Sequence, residues 1–195
     1  MSTVKSNIKI GRGRREGRFA QLAKMGEVVF HVDDLARLWE IKDKNTLHTT
    51  LKRYNKQGLI YRVWRGMYAI KEVDQIDPLL LGVKALHGFG YVSLETILFQ
   101  AGIINQRPSA ITLVGEKTRH FSLGENEYHC RLLADKHLYN PFGTFEKNGI
   151  KRALPERAVA DLLHFNSHAH FDGESQIDWQ KVRKVQKAVG YSLIR

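Results

Sequence analysis

The sequence predicts an α+β protein in two parts, an N-terminal winged helix-turn-helix followed by a mixed α+β domain. Three observations lead there. Residues 32–70 read in order as helix, turn, helix and tight hairpin. Residues 78–195 alternate helical patterns with strand-like runs. Positive charge is concentrated at the front: residues 1–72 carry 16 Lys and Arg against 7 Asp and Glu, residues 73–195 carry 15 against 13. A chain of 195 residues with a formal net charge of +11 attracts polyanions, directly and by counterion release. The asymmetry assigns that attraction to the N-terminal part, which a merely solubilising charge would not explain.

Residues 1–18 hold Lys5, Lys9, Arg12, Arg14, Arg15 and Arg18 among glycines and few apolar groups. They are expected to form a basic arm, leading into a short helix through Phe19, Leu22 and Met25. The winged helix-turn-helix is expected over 19–72. Val32 to Trp39 has an acidic start suited to the helix dipole, with Leu35, Leu38 and Trp39 on one face. Lys42-Asp43-Lys44 is a polar turn. A second helix is expected from Asn45 or Thr46 to about Gln57, with Leu47, Leu51 and Tyr54 as its apolar stripe and Gly58 as its stop. Leu59–Val63 and Gly66–Ile70 then pair as strands about the turn Trp64-Arg65-Gly66. Tyr61, Trp64 and Tyr68 are expected to pack rather than stack on bases.

A linker is expected near 72–77, before a domain over 78–195. Pro78 opens a helix from about Leu79 to Leu86, Ser93 is expected to N-cap a helix ending near Gly102, and three strand-like runs follow, at 110–114, 119–123 and 128–133. Pro155 sits in the first turn of a helix to about Phe165 whose apolar face is Ala158, Val159, Leu162 and Leu163. A last helix runs from Asp178 to about Val189, ended by Gly190.

No phosphate loop, nucleophile elbow or His-Glu-x-x-His is present, so no catalytic residue, cofactor or metal is assigned and the chain is not expected to be an enzyme. His164, His168 and His170 with Asp172 are dense enough to weigh as a metal site, but their spacing matches no standard one and solvated loop histidines are the plainer reading. Glu156 and Asp161 are five apart and do not share a helical face. Glu156 is expected to serve the helix dipole and Asp161 a structural salt link. Cys130, the single cysteine, is expected to be a buried strand residue. The start lacks the apolar core of a secretory signal, and no run approaches the ~18 apolar residues of a membrane span. A cytoplasmic protein that contacts no membrane is expected.

The run from Gln57 to Ile70, Gln-Gly-Leu-Ile-Tyr-Arg-Val-Trp-Arg-Gly-Met-Tyr-Ala-Ile, resembles the winged helix of the AbiEi antitoxins of type IV, abortive-infection toxin-antitoxin systems. Gly90-Tyr-Val-Ser-Leu-Glu-Thr96, continued by Gly102-Ile-Ile104, is similar to a second segment of that family. Leu154-Pro-Glu-Arg-Ala-Val-Ala-Asp-Leu-Leu163 is similar to a third. The likeness spans roughly residues 30–165. It departs from the family at Arg157, where Lys is commoner, and at Thr96 and Ile97, where small residues are usual. The resemblance implies a repressor that binds inverted repeats ahead of its own operon, two copies to a site. Its second domain, over 78–195, would oppose a nucleotidyltransferase-like toxin without necessarily touching it.

Double-stranded DNA is thus the expected partner. Asn45, Thr46, His48, Thr49 and Arg53 are expected to reach base edges in the groove. Lys44, Lys52, Lys56, Arg62 and Arg65 are expected on phosphate, helped by Arg12, Arg14, Arg15 and Arg18 of the arm. Two alternatives compete with this reading: a protein-binding module that contacts a toxin or other partner, and a metal-dependent nucleic-acid enzyme using the histidines.

Overall fold

A computed structural model describes residues 10–194 as a mixed α+β protein. Among the described residues there are eight α-helices and nine strands in two sheets. The chain divides into two compact units, with the boundary between Val73 and Asp74.

In the first unit, α1 spans Ile10–Lys24, β1 Val29–His31, α2 Val32–Leu38, α3 Lys44–Lys56, β2 Tyr61–Trp64 and β3 Met67–Ala69. The expected arm is corrected here. Positions 12, 14, 15 and 18 belong to a 15-residue helix, while Lys5 and Lys9 lie outside the described residues. Packing at the far end of that helix explains it. Leu22 is fully buried, Phe19 packs beside it, and Trp39 Nε1 donates to the Arg18 carbonyl at 3.2 Å. Once these turns are held, Arg12, Arg14 and Arg15 continue the helix, although Gly11, Gly13 and Gly17 each cost it about 1 kcal/mol relative to Ala.

Leu35, Trp39, Leu47, Leu51, Tyr54 and Ile60 complete the core, with the Trp39 and Tyr54 rings edge to face at 5.7 Å. Glu40, at φ +53°, takes the left-handed position after α2, and the Ile41 N–H returns to the Ala36 carbonyl at 2.9 Å. This ends α2 sharply and leaves four residues, 40–43, to turn the chain into α3. The three-residue β1 pairs antiparallel with β3, so the sheet order is β1-β3-β2. That third strand was not foreseen. Tyr68 packs on the core, Tyr61 is half-buried, and Trp64 is exposed to 39%, so only part of the expected aromatic packing is realised.

The second unit holds α4 Pro78–Ala85, β4 Gly90–Val92, α5 Glu95–Gln100, β5 Ile111–Gly115, β6 Arg119–Leu123, β7 Asn126–Leu132, α6 Asp135–Leu138, β8 Thr144–Lys147, β9 Ile150–Ala153, α7 Pro155–Phe165 and α8 Trp179–Val189. Its sheet runs β6-β7-β5-β4-β9-β8, with β4/β9 and β5/β7 parallel and the other pairs antiparallel. The β8–β9 hairpin closes on Asn148 at φ +54° and Gly149 at φ +73°, the two left-handed positions that a two-residue turn matched to strand twist requires.

At the centre of this unit lies a buried ion pair. Arg157 Nε donates to Asp161 Oδ1 at 2.8 Å, one turn along α7, and both side chains are fully buried. Arg157 Nη1 donates to the carbonyls of Asn140 and Phe142. Its Nη2 donates to the Tyr91 hydroxyl at 2.7 Å and the His137 carbonyl at 3.0 Å. Asp161 also accepts from Tyr91, Ser93 and Tyr191, at 3.0, 2.7 and 2.7 Å. Burial and the Asp161 carboxylate push both tyrosine hydroxyls well above their ordinary pKa, which keeps them as donors. Burial alone would lower the Arg157 guanidinium, but Asp161 and the two tyrosines leave it raised.

Two expectations are settled by this network. Asp161 does form a structural salt link. Ser93 does not N-cap α5: its hydroxyl serves Asp161, the N-cap position passes to Leu94, and the Thr96 N–H is received by Thr112 Oγ1 at 2.9 Å. Thr112 N–H returns to Thr96 Oγ1 at 2.7 Å, which gives Thr96 a use that a small apolar residue could not supply. Cys130 is buried in β7, and burial pushes its thiol up to about 11. Among the described residues no helix is long and apolar enough to cross a membrane.

Candidate nucleic-acid interface

The candidate surface is the outer face of α3 and the tip of the β2–β3 hairpin. Leu47, Leu51 and Tyr54 of α3 are buried. At about 100° of rotation per residue, these three fall within an arc of ~60°. His48, Thr49, Lys52, Arg53 and Lys56 lie on the opposite side, within an arc of ~140°. All five are exposed, as are Lys44, Asn45 and Thr46. Asn45 and Lys56 are ~17 Å apart along the axis, the rise of about five base pairs.

The start of α3 differs from expectation. The helix begins at Lys44, not Asn45 or Thr46, because Asp43 caps it: the carboxylate accepts the Thr46 N–H at 2.7 Å and the Thr46 hydroxyl at 2.6 Å. Thr46 therefore spends its donor on the cap, and only its remaining lone-pair capacity faces outward. These hydrogen bonds, the hydroxyl's first, hold the Asp43 carboxyl below its usual 3.8. A depressed folded value means the cap stabilises α3 above the unfolded value and is lost as pH falls through the folded one. Asp43→Ala should melt below wild type at pH 7, and the difference should shrink as the pH drops below 3.8. A difference that persists unchanged in acid would show that the carboxylate's charge is not what caps the helix.

At the hairpin, Arg62 pairs with Tyr68 and Trp64 with Met67, leaving Arg65-Gly66 as a two-residue turn. Gly66 stands at φ +74°, where a side chain would strain the turn. A register shift between Arg62 and Trp64 bends β2 toward its tip. Arg62 and Arg65 are both exposed.

Arg37 on α2 is paired with Asp34 at 2.7 Å. Among the described residues, no acidic side chain pairs with Lys44, Lys52, Arg53, Lys56, Arg62 or Arg65. Six cations left without acidic partners on one helix and the neighbouring hairpin keep their full attraction for an external anion. Of the helix α1 set, Arg18 is half-buried.

The histidines go elsewhere. The His164 ring stacks on Tyr191 at 4.3 Å, His168 is exposed, and His170 lies 3.9 Å from Asp172. Burial, followed by the neighbouring His137, lowers the His164 pKa. Among the described residues no group of three His, Cys, Asp or Glu is placed to hold a metal ion. Compared with known proteins, the sequence matches no family model and no curated protein.

Proposed function

We propose that residues 19–72 form a winged helix-turn-helix that binds double-stranded DNA, and that the chain is a sequence-specific repressor of the AbiEi antitoxin type. The observation that carries this reading is the segregation on α3: one side is buried core, and the other is polar and cationic with no acid paired to it among the described residues. A helix of that kind fits a major groove about 12 Å wide, where amide, hydroxyl and guanidinium groups meet base edges. Arg53 offers two donors to a guanine edge, and Asn45 suits adenine. Lys44, Lys52 and Lys56 are assigned to phosphate, and Arg62 and Arg65 on the wing hold the backbone. Positions 12, 14, 15 and 18 would reach DNA from helix α1. Two copies on an inverted repeat would double every contact, and residues 78–195 would carry the antitoxin role toward a nucleotidyltransferase-like toxin.

The test is an anisotropy titration of the full chain against the DNA upstream of its gene, with scrambled competitor, at several salt concentrations. Five phosphate contacts per copy would give a log–log salt slope of about −4 to −5, so a fourfold rise in salt weakens binding roughly 500-fold per copy. Competitor-resistant binding with such a slope is expected. Weak binding, equal for both DNAs, would reduce the protein to a nonspecific cation.

A further inference from the structure

The six-stranded sheet of the second unit ends on β8 at one side and β6 at the other, and the two edges are finished differently. β8 has four residues, and its Thr144 N–H is already taken by the Pro141 carbonyl at 3.0 Å. β6 has five residues in unbroken register with β7, without proline or bulge. Proteins usually blunt such an edge, because its unpaired main-chain groups are a template for another strand.

The register identifies those groups. β6 and β7 are joined by the two-residue turn Gly124-Glu125, so Leu123 and Asn126 exchange main-chain hydrogen bonds, as do Phe121 with Tyr128 and Arg119 with Cys130. His120 and Ser122 fall between, at positions where side chains come close across the ladder. They do so here: the His120 and His129 rings stack at 4.0 Å, and the Ser122 hydroxyl donates to Glu127 at 2.7 Å. The N–H and C=O groups of His120 and Ser122 therefore point away from β7. Both residues are exposed, while Phe121 and Leu123 are buried on the other face of the sheet.

Charge selects the strand that fits this edge. Lys117 precedes β6 and Glu125 follows it, both exposed and neither in an ion pair among the described residues. A second β6 laid antiparallel, with Phe121 opposite its own counterpart, satisfies all of these groups at once. His120 of each copy then stands opposite Ser122 of the other, and each such pair exchanges both main-chain bonds. Lys117 of each copy meets Glu125 of the other, a favourable cross-strand combination. A parallel arrangement would instead set Lys117 against Lys117.

We infer that β6 is the contact between two copies of this chain, paired edge to edge about a two-fold axis into one continuous sheet. Such a contact is isologous and closes at two copies. An edge of five residues buries less than the ~1,200 Å² of a standard interface, so the dimer is weak and concentration-dependent. It uses no residue of α3 or the wing and forms without DNA, so its failure and that of the DNA reading are separate results.

The experiment is sedimentation equilibrium of the nuclease-treated full chain from ~10 μM to ~1 mM, a range that spans weak association. The mass is expected to rise from monomer toward dimer, with hydrogen exchange at the His120 and Ser122 amides slowing at the high end. Ser122→Pro removes an outward N–H that β7 does not use, where an edge strand tolerates proline. It should weaken association at least tenfold. Lys117→Glu and Glu125→Lys should each weaken it about threefold or more, and the double swap Lys117→Glu/Glu125→Lys should restore it to within about twofold of wild type. These exposed swaps serve if Ser122→Pro does not fold. A monomer at every concentration, undiminished association in folded Ser122→Pro, or a double swap no better than the single ones would overturn the inference.

Discussion

Asp161→Asn is expected to destabilise the unit formed by residues 74–195 by about 3–5 kcal/mol, the usual cost of removing one partner from a buried ion pair. The reason is what remains behind. Arg157 keeps its charge in a site with no access to water, and the hydroxyls of Tyr91, Ser93 and Tyr191 lose the anion that receives them. Domains of this size are stable by only about 5–15 kcal/mol, so the loss is about a fifth of the total or more. Denaturant unfolding, with hydrogen exchange followed at the amides of β4, β9 and α7, would measure it. The double variant Arg157→Met/Asp161→Leu should recover part of the loss, because it removes the stranded charge along with its partner. A single variant within about 1 kcal/mol of wild type would mean that the pair is hydrated and its network energetically slack.

Arg157→Lys tests the same site from the other side. Arg157 spreads its donors over Asp161, Tyr91 and three main-chain carbonyls that belong to the segment 137–142. A lysine has three donors at one point and cannot reach all of these. The substitution should keep the charge balance yet loosen residues 137–142, a smaller loss than Asp161→Asn and one localised by faster exchange there. The network also gives physical meaning to two of the segments that suggested a family. Tyr91 and Ser93 come from one, Arg157 and Asp161 from the other, and they meet in the core.

Much of this architecture is legible in the chain because the information is local. The α3 stripe of Leu47, Leu51 and Tyr54 and the proline at the start of α7 each act within a turn or two of where they stand. The same holds for the left-handed Asn148-Gly149, a dipeptide that by itself marks a two-residue hairpin turn, here between β8 and β9. What could not be read depends on distant partners. Ser93 has the chemistry of a helix cap, but Asp161, 68 residues away, takes its hydroxyl. The strand β1 is three residues long and exists through its ladder with β3. The Val92 end of β4 pairs with β9 across some sixty residues, and its three residues are all buried, with no alternation to betray a strand. For the candidate interface the outward face of α3 follows from its period, whereas the cap by Asp43 and the resulting role of Thr46 depend on side-chain geometry at the turn.

Arg53→Ala and Arg65→Ala should fail in different ways if the proposed docking is right. Arg53, at one edge of the outward arc of α3, is assigned to a base edge. Its loss should cost about 1–3 kcal/mol on the specific site and much less on scrambled DNA, because a bidentate base contact carries the discrimination. Arg65, in the hairpin turn, is assigned to phosphate. Its loss should weaken both DNAs by similar factors and flatten the salt slope by about one. Lys56→Ala should behave like Arg65→Ala. All three residues are exposed and packed against nothing essential, so their melting behaviour should stay within about 0.5 kcal/mol of wild type. That separates lost binding from lost folding. Were Arg53→Ala and Lys56→Ala both to leave specific and nonspecific affinity unchanged, α3 would not be the reading helix. The unpaired cations would then have to serve a protein partner with a complementary acidic surface. Were Arg53→Ala instead to weaken both DNAs equally, α3 would still lie on DNA, but along the backbone rather than in the groove, and specificity would have to come from shape.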